Sequence, residues 1–247
     1  MQGIGTNIIR LDGVDSTNLY AERLLTGEGA EEGTVITTDF QVAGRGQGDK
    51  MWESERGMNL LLSVILKPRF LDAGDQFSLN KAMTLAVCDL VRSAGIAPSI
   101  KWPNDIYAGD KKIAGLLITH RVSGSMLEST VVGIGVNLNQ MNFSGMPVHP
   151  VSMKMLTGKE YPPDDALNKI TGMIGNRYDQ LQQGMADRIG KEYLECLRGF
   201  GKWLVYQAAD ERFEGRVTGV DEFGRLTVER REGRTELFSH GEISLPL

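Results

Sequence analysis

Ile100-Lys101-Trp102-Pro103-Asn104-Asp105-Ile106-Tyr107-Ala108-Gly109-Asp110-Lys111-Lys112-Ile113-Ala114-Gly115 is the stretch from which the fold is read. Ile100 to Trp102 predicts a short strand; Pro103 ends it, and a residue before proline is pushed toward extended geometry. Ala108-Gly109-Asp110 predicts a hairpin turn, with Lys112 to His120 as the returning strand. Asn104 and Asp105 leave the strand end with side chains able to face a ligand, and Lys112 returns across the hairpin. A lysine ammonium is a compact charge suited to a phosphate that gains negative charge as a bond breaks. Gly115 lets something pack flat against the strand. The same residues also read as a surface hairpin carrying an ion pair worth under about 1 kcal/mol.

Ile4 to Leu11 reads as a first strand. Asp15-Ser16-Thr17-Asn18 offers N-cap side chains to a helix running toward Leu25. Thr34 to Thr38 is β-branched and strand-like. Asn59 to Leu66 is apolar on both faces, which predicts a central strand. Asp75 to Ala94 repeats apolar residues at helical spacing, with Gly95 at the C-terminal end. Ser123-Gly124-Ser125 turns into a strand from Met126 to Leu138. Helices are predicted after Pro162-Pro163, with Leu167, Ile170, Ile174, Tyr178 and Leu181 on one face, and from Ile189 to Leu197. Beyond Gly199 to Gly201, short strands alternate with turns, predicting a small β-barrel of SH3-like size. The larger part is α+β with a mostly antiparallel sheet. The expected division is 1–200 and 201–247.

The chain has 247 residues, 41% hydrophobic and 24% charged, enough to bury a sizeable core. A net charge of -5 does not suggest a nucleic-acid surface. Cys88 and Cys196 form no CxxC pattern, and His120, His149 and His240 have no metal-like spacing. Met1 to Arg10 lacks the pattern of a secretory signal, and Leu60 to Leu66 is too short to span a bilayer. The expected place of work is the cytoplasm, without membrane partners.

Gly44, Gly46 and Gly48 allow a backbone to approach a ligand, and Arg45 between two of them can grip a carboxylate or phosphate through two N–H bonds. From Gly44 to Lys50 no regular structure is predicted. The loop is not a P-loop, because no Gly-Lys-Ser/Thr follows, and it lacks the context of a dinucleotide fold.

Together, Asp15 to Asn18, Gln41 to Gly46, Trp52, Gly57 to Leu60, Lys101 to Asp105, Lys112 to Gly115, Gly133 to Asn137 and Gly241 to Leu245 resemble the biotin–protein ligase family in order and spacing. The resemblance covers nearly the whole chain. It implies a catalytic domain related to class II aminoacyl-tRNA synthetases, followed by an SH3-like barrel. It also implies that biotin attacks the α-phosphate of Mg-ATP, and that a carrier-domain lysine then displaces AMP from biotinyl-5′-AMP. The implied cofactors are ATP and Mg2+, with biotin as substrate. The implied partner is the biotin carboxyl carrier protein of acetyl-CoA carboxylase or a related carboxylase.

By that resemblance, Arg45, Lys112 and Asp105 are catalytic. Biotin contacts fall to Ser16, Thr17, Asn18, Gln41, Gly44, Arg45, Gly46, Gln47, Lys112 and Gly115. ATP contacts fall to Lys50, Trp52, Asn104, Gly133 and Asn137. No protein metal motif is implied; Asp105 either shares the magnesium or orients the incoming lysine. Trp52 also reads as an ordinary core tryptophan, and Gly133 and Gly135 as a bulge. The chain departs from the family loop at Gln47-Gly48-Asp49-Lys50, which carries less positive charge. Asp15 begins too early for an N-terminal DNA-binding module, so a form without DNA binding is expected. A homodimer formed through an exposed strand such as Ile113 to Thr119 is a further expectation. Rival readings are a lipoate-type ligase, a non-catalytic biotin sensor, and an adaptor whose terminal barrel binds a peptide.

Overall fold

The computed structural model of the chain describes residues 3–27, 29–48, 50–143, 149–209 and 211–244. Asp49 and Leu245, both used in the sequence reading, lie outside the described residues. A seven-stranded mixed sheet is built from β1 (Ile8–Leu11), β2 (Val35–Thr38), β3 (Leu60–Leu66), β4 (Pro98–Lys101), β5 (Asp105–Ala108), β6 (Lys111–Ser123) and β7 (Met126–Val136). Their order is β1-β2-β3-β7-β6-β5-β4; β1 and β2 are parallel and every other pairing is antiparallel. The apolar run at Leu60–Leu66 forms an inner strand between β2 and β7, buried along its whole length.

Helix α1 (Thr17–Thr26) covers one face over a small cluster of Ala21, Ile36, Ile65 and Val131. On the main core pack α2 (Gln76–Ser93), α4 (Pro163–Gln182) and α5 (Ala186–Cys196). The one-turn helix α3 (Met153–Thr157) carries too few residues to show a period, and the sequence reading did not foresee it.

The C-terminal strands β8 (Trp203–Ala208), β9 (Glu211–Val220), β10 (Leu226–Arg230), β11 (Thr235–Phe238) and β12 (Ile243–Ser244) form an antiparallel sheet in the order β11-β10-β9-β8-β12. Among the described residues no ladder joins β11 to β12, so the observed unit is a five-stranded sheet rather than a hydrogen-bonded closed barrel. Its buried Tyr206, Phe213, Val217 and Leu226 belong to the same apolar core as α2 and the first sheet.

Two expectations need correction. Ile113 to Leu116 is not exposed; β6 lies between β5 and β7 there and these residues are buried. Gly44 to Trp52 is partly paired: Arg45 bridges Met51, the Gly46 N–H donates to the Lys50 carbonyl (2.7 Å), and the Trp52 N–H donates to Gly44 (2.9 Å).

Candidate active site

A cavity of about 330 Å³ opens between α1, the Gly44–Trp52 loop and one face of the large sheet. Every site residue singled out from the sequence lines it except Gly44. Gly44 is buried behind the loop, where a Cβ would stand 2.4 Å from the Trp52 carbonyl oxygen. Its part is to let the two arms of the loop meet.

The entry to α1 differs from the capping expected of it. Ser16 occupies the N-cap position but its side chain makes no capping bond. The first orphan helix N–H, that of Thr17, donates instead to Gln41 Oε1 (2.8 Å), a residue 24 positions later. Asp15 accepts from the Ser16 N–H and from both terminal nitrogens of Arg23. Arg23, with that N–H, holds the Asp15 carboxyl down at about 2. With these bonds made by neighbours, Ser16, Thr17 and Asn18 are left to line the cavity.

Behind them stands Ser63, fully buried and absent from the sequence reading. Its Oγ lies 2.8 Å from Thr17 Oγ1 and 2.5 Å from Asn18 Oδ1. Its single proton goes to the amide oxygen, which can only accept. The Asn18 amide nitrogen donates to the Leu117 carbonyl (3.0 Å), which fixes the orientation of the amide. The available signal was a lone hydroxyl in an otherwise apolar strand: a buried polar group needs a partner. Ser63→Ala leaves the Asn18 oxygen without that donor, at about 1–3 kcal/mol. The expected thermal midpoint falls by roughly 2–4 °C per kcal/mol for a chain of this size, read by calorimetry. An unchanged melt would mean that the hydroxyl holds nothing.

Two glycines of β7 make the room. Gly133 pairs with Ser63, and a Cβ on it would stand 2.0 Å from Asn18 Oδ1. Gly135 pairs with Gly115, and a Cβ there would stand 2.5 Å from the Trp52 indole. The Trp52 ring therefore packs directly on the strand backbone, with the Lys112 ammonium 5.7 Å from its centre and its own buried N–H without a partner. This close backbone approach, not a bulge, is what the β7 glycines serve.

A bulge does occur one strand away. Ile106 pairs with Ala114 but Tyr107 pairs with Lys112, leaving Ile113 as an extra residue in β6. In an uninterrupted strand residues 112 and 115 point to opposite faces. The extra residue returns Lys112 to the face of Gly115, where its Nζ meets Asp105 Oδ1 at 2.6 Å. A Cβ on Gly115 would lie 3.0 Å from that oxygen and 3.2 Å from Nζ. The Lys112 backbone is held by His149 and Val151, its N–H donating 2.8 Å to one and its carbonyl accepting from the other (2.9 Å).

Asn104 and Asn137 reach the cavity wall, but each amide nitrogen donates to a backbone carbonyl, Leu116 (3.1 Å) and Val151 (3.2 Å) respectively. Gly46 also lines the cavity, with its N–H committed to Lys50 rather than offered to a ligand. Arg45, exposed, and Gln47 and Lys50 line the opposite side. The cavity thus gathers Arg45, Lys50, Lys101 and Lys112 against Asp105 and Glu53, an excess of positive charge within an acidic protein. Desolvation pushes the Lys101 ammonium below its ordinary value and the Tyr107 hydroxyl beneath it upward. Such a wall suits a ligand with an anionic end and a polar, neutral end. Among the described residues no cluster of three His, Cys, Asp or Glu side chains could hold a metal, and no helix is long and apolar enough to cross a membrane.

A mixed sheet with fixed cations on one side of a cavity and amide and hydroxyl groups on the other forms a small-molecule site suited to an acidic ligand. The model of the biotin/lipoate A/B protein ligase family matches residues 11–137, and that of the biotin protein ligase C-terminal domain matches residues 207–245. The chain belongs to the biotin/lipoate A/B protein ligase family. It is 29% identical over 242 residues to the bifunctional ligase/repressor BirA of Bacillus spizizenii, covering 96% of this chain and 73% of that one. It is 27% identical over 230 residues to the biotin–[acetyl-CoA-carboxylase] ligase of Paracoccus denitrificans, covering 89% of this chain and 93% of that protein. Its fold is similar to the Aquifex aeolicus biotin protein ligase solved with biotin and ATP, with a TM-score of 0.78, 26% identity, and coverage of 97% and 98%.

Proposed function

We infer that this chain is an ATP-dependent biotin–protein ligase that joins biotin to a lysine of a biotin carboxyl carrier domain through biotinyl-5′-AMP. The observation that carries the reading is the Lys112–Asp105 pair over Gly115, in one cavity with Arg45 and with the Ser16–Asn18 wall. The ureido ring of biotin, a neutral group with donors and acceptors, lies against Ser16, Thr17, Asn18 and Gln41. Its carboxylate points toward Arg45 and Lys112. One carboxylate oxygen attacks the α-phosphorus, the bond to the bridging oxygen breaks, and pyrophosphate leaves with the electron pair. Two like unit charges 4 Å apart repel by about 4 kcal/mol in a site of intermediate polarity, and the two cations offset that repulsion.

Trp52 covers the adenine, with Lys50 toward the phosphates; Asn104 and Asn137 shape the nucleotide side by holding backbone. ATP enters as its magnesium complex. The bond from Lys112 leaves Asp105 better placed to orient the acceptor lysine than to share the metal. The carrier is that of acetyl-CoA carboxylase or a related carboxylase, and the reaction takes place in the cytoplasm, a setting that free Cys88 and Cys196 suit. We place the working boundary between the two parts near residue 200. Exchange of labelled pyrophosphate into ATP is expected with biotin and not with lipoate, followed by label on a carrier lysine. Exchange with lipoate alone, or with neither acid, would overturn the reading.

The loop makes a further prediction. Gln47 carries no charge, and Gly48 turns at φ 65°, where a longer side chain would be strained. The loop therefore holds the mixed anhydride with few cations, and biotinyl-AMP should escape the isolated enzyme in minutes. Gln47→Arg is expected to slow that escape severalfold in a chase experiment. Release over hours from the unaltered enzyme would contradict this.

A further inference from the structure

The C-terminal sheet reaches the cavity through His240, on the turn between β11 and β12. His240 is exposed at the cavity mouth and lines it together with Lys50 and Asp105. Its ring lies 5.7 Å from the ring of buried Trp102, tilted by 41°. A second turn of the same sheet holds Trp102 as well: the indole N–H donates to the Gly224 carbonyl (3.0 Å). Gly224 packs so closely on α2 that a Cβ would stand 2.5 Å from the Phe77 ring. Two turns of the C-terminal sheet are thus seated on the segment that carries Asn104 and Asp105. That fixes the imidazole at the opening through which a protein lysine must enter.

The acceptor lysine poses a definite chemical problem. Its ordinary pKa is about 10.4, so near neutral pH it arrives as an ammonium that cannot attack a carbonyl. Asp105 is held by Lys112, and a carboxylate is a weak base toward an ammonium. Among the described residues His240 is the only imidazole lining the cavity. The charged groups around it are Lys50 from the loop, Asp105 from β5, and Glu242 on its own turn, whose carboxylate accepts the Ser239 N–H. Desolvation at the cavity mouth and the Lys50 charge lower its imidazole from the ordinary histidine value, with Asp105 opposing them, which favours the unprotonated ring.

We propose that His240 serves the acyl-transfer half-reaction, accepting the proton of the acceptor lysine at the cavity mouth. This rests on the ligase reading above. The imidazole takes one proton from the ammonium, and the freed amine adds to the carbonyl carbon of biotinyl-AMP. The bond from that carbon to the phosphate oxygen breaks and AMP leaves with the electron pair. The second proton on nitrogen passes to the departing phosphate or to water as the amide forms.

The test uses the full chain carrying His240→Ala or His240→Phe in two assays. One is biotin-dependent pyrophosphate exchange. The other is single-turnover transfer from preloaded biotinyl-AMP to a carrier domain, from pH 6 to 10. Exchange is expected within about threefold of wild type, and transfer near pH 7 is expected to fall about 10²-fold in both variants. The lost rate should return as the pH climbs toward the ordinary lysine value, and on addition of free imidazole. Full transfer by the phenylalanine variant would reduce the role to packing on Trp102 and overturn the proposal. So would an equal loss in both assays, or no loss in either. Absence of biotin-dependent exchange in the wild type would sink the ligase reading, and this assignment with it.

Discussion

Lys112→Ala is expected to lower the rate of biotin adenylation about 10²–10³-fold, the usual consequence of removing one preorganised charge from a developing anion. Pyrophosphate exchange at saturating biotin and ATP is the measurement. The loss should fall on kcat more than on KM, because the ammonium matters most as the α-phosphorus gains an oxygen. Lys112→Arg is not a gentle control. The ammonium sits in the space left by Gly115, and a planar guanidinium does not fit the position of a compact charge. Asp105→Asn is the better companion: it frees Lys112 from its partner at 2.6 Å while keeping the side-chain volume. If adenylation survives that change while transfer to the carrier falls, Asp105 belongs to the second step. Near-normal adenylation by the alanine variant at position 112 would make the charge structural.

Gly133→Ala is expected to raise the KM for biotin roughly 5- to 150-fold, corresponding to about 1–3 kcal/mol for a displaced polar group. The added methyl would stand 2.0 Å from Asn18 Oδ1, closer than any real contact, so the amide must swing away. Swinging breaks its bonds to Ser63 and to the Leu117 carbonyl. Overpacking should also cost stability, typically about 1–3 kcal/mol. A double-mutant cycle with Asn18→Ala isolates the cause: in that background the methyl has room, and its stability penalty should shrink toward zero. An undiminished penalty would place the clash elsewhere on β7.

Most strands and long helices were legible because burial imposes period 2 on a strand and 3.6 on a helix. The stripe of α2 shows that helical period, and the unbroken apolar run Leu60–Leu66 was legible by the opposite sign, a strand short enough to be buried on both faces. The site was legible as a set of residues but less so as a set of bonds. Asp15 to Asn18 has the composition of a helix cap, yet Gln41 supplies the Thr17 cap from another segment, and no local rule could reveal it. Ser63 was hidden because a single hydroxyl in an apolar strand announces only that some partner exists. Gly44 and Gly46 looked alike in sequence; one meets the Trp52 carbonyl from behind and the other lines the cavity. His240 stands just before the Gly241 to Leu245 match but outside it, and its approach to Trp102 depends on how the second sheet packs on the first.

The extra residue at Ile113 bends β6 just where the strand carries Lys112. Deleting Ile113 would restore plain alternation with Lys112 two positions from Gly115, still opposite Tyr107 and still on the cavity side, but without the bend that the extra residue puts into the strand. An engineered chain lacking Ile113 should therefore keep the ammonium on the cavity side, and any adenylation it loses would measure what the local bend contributes to aiming that charge.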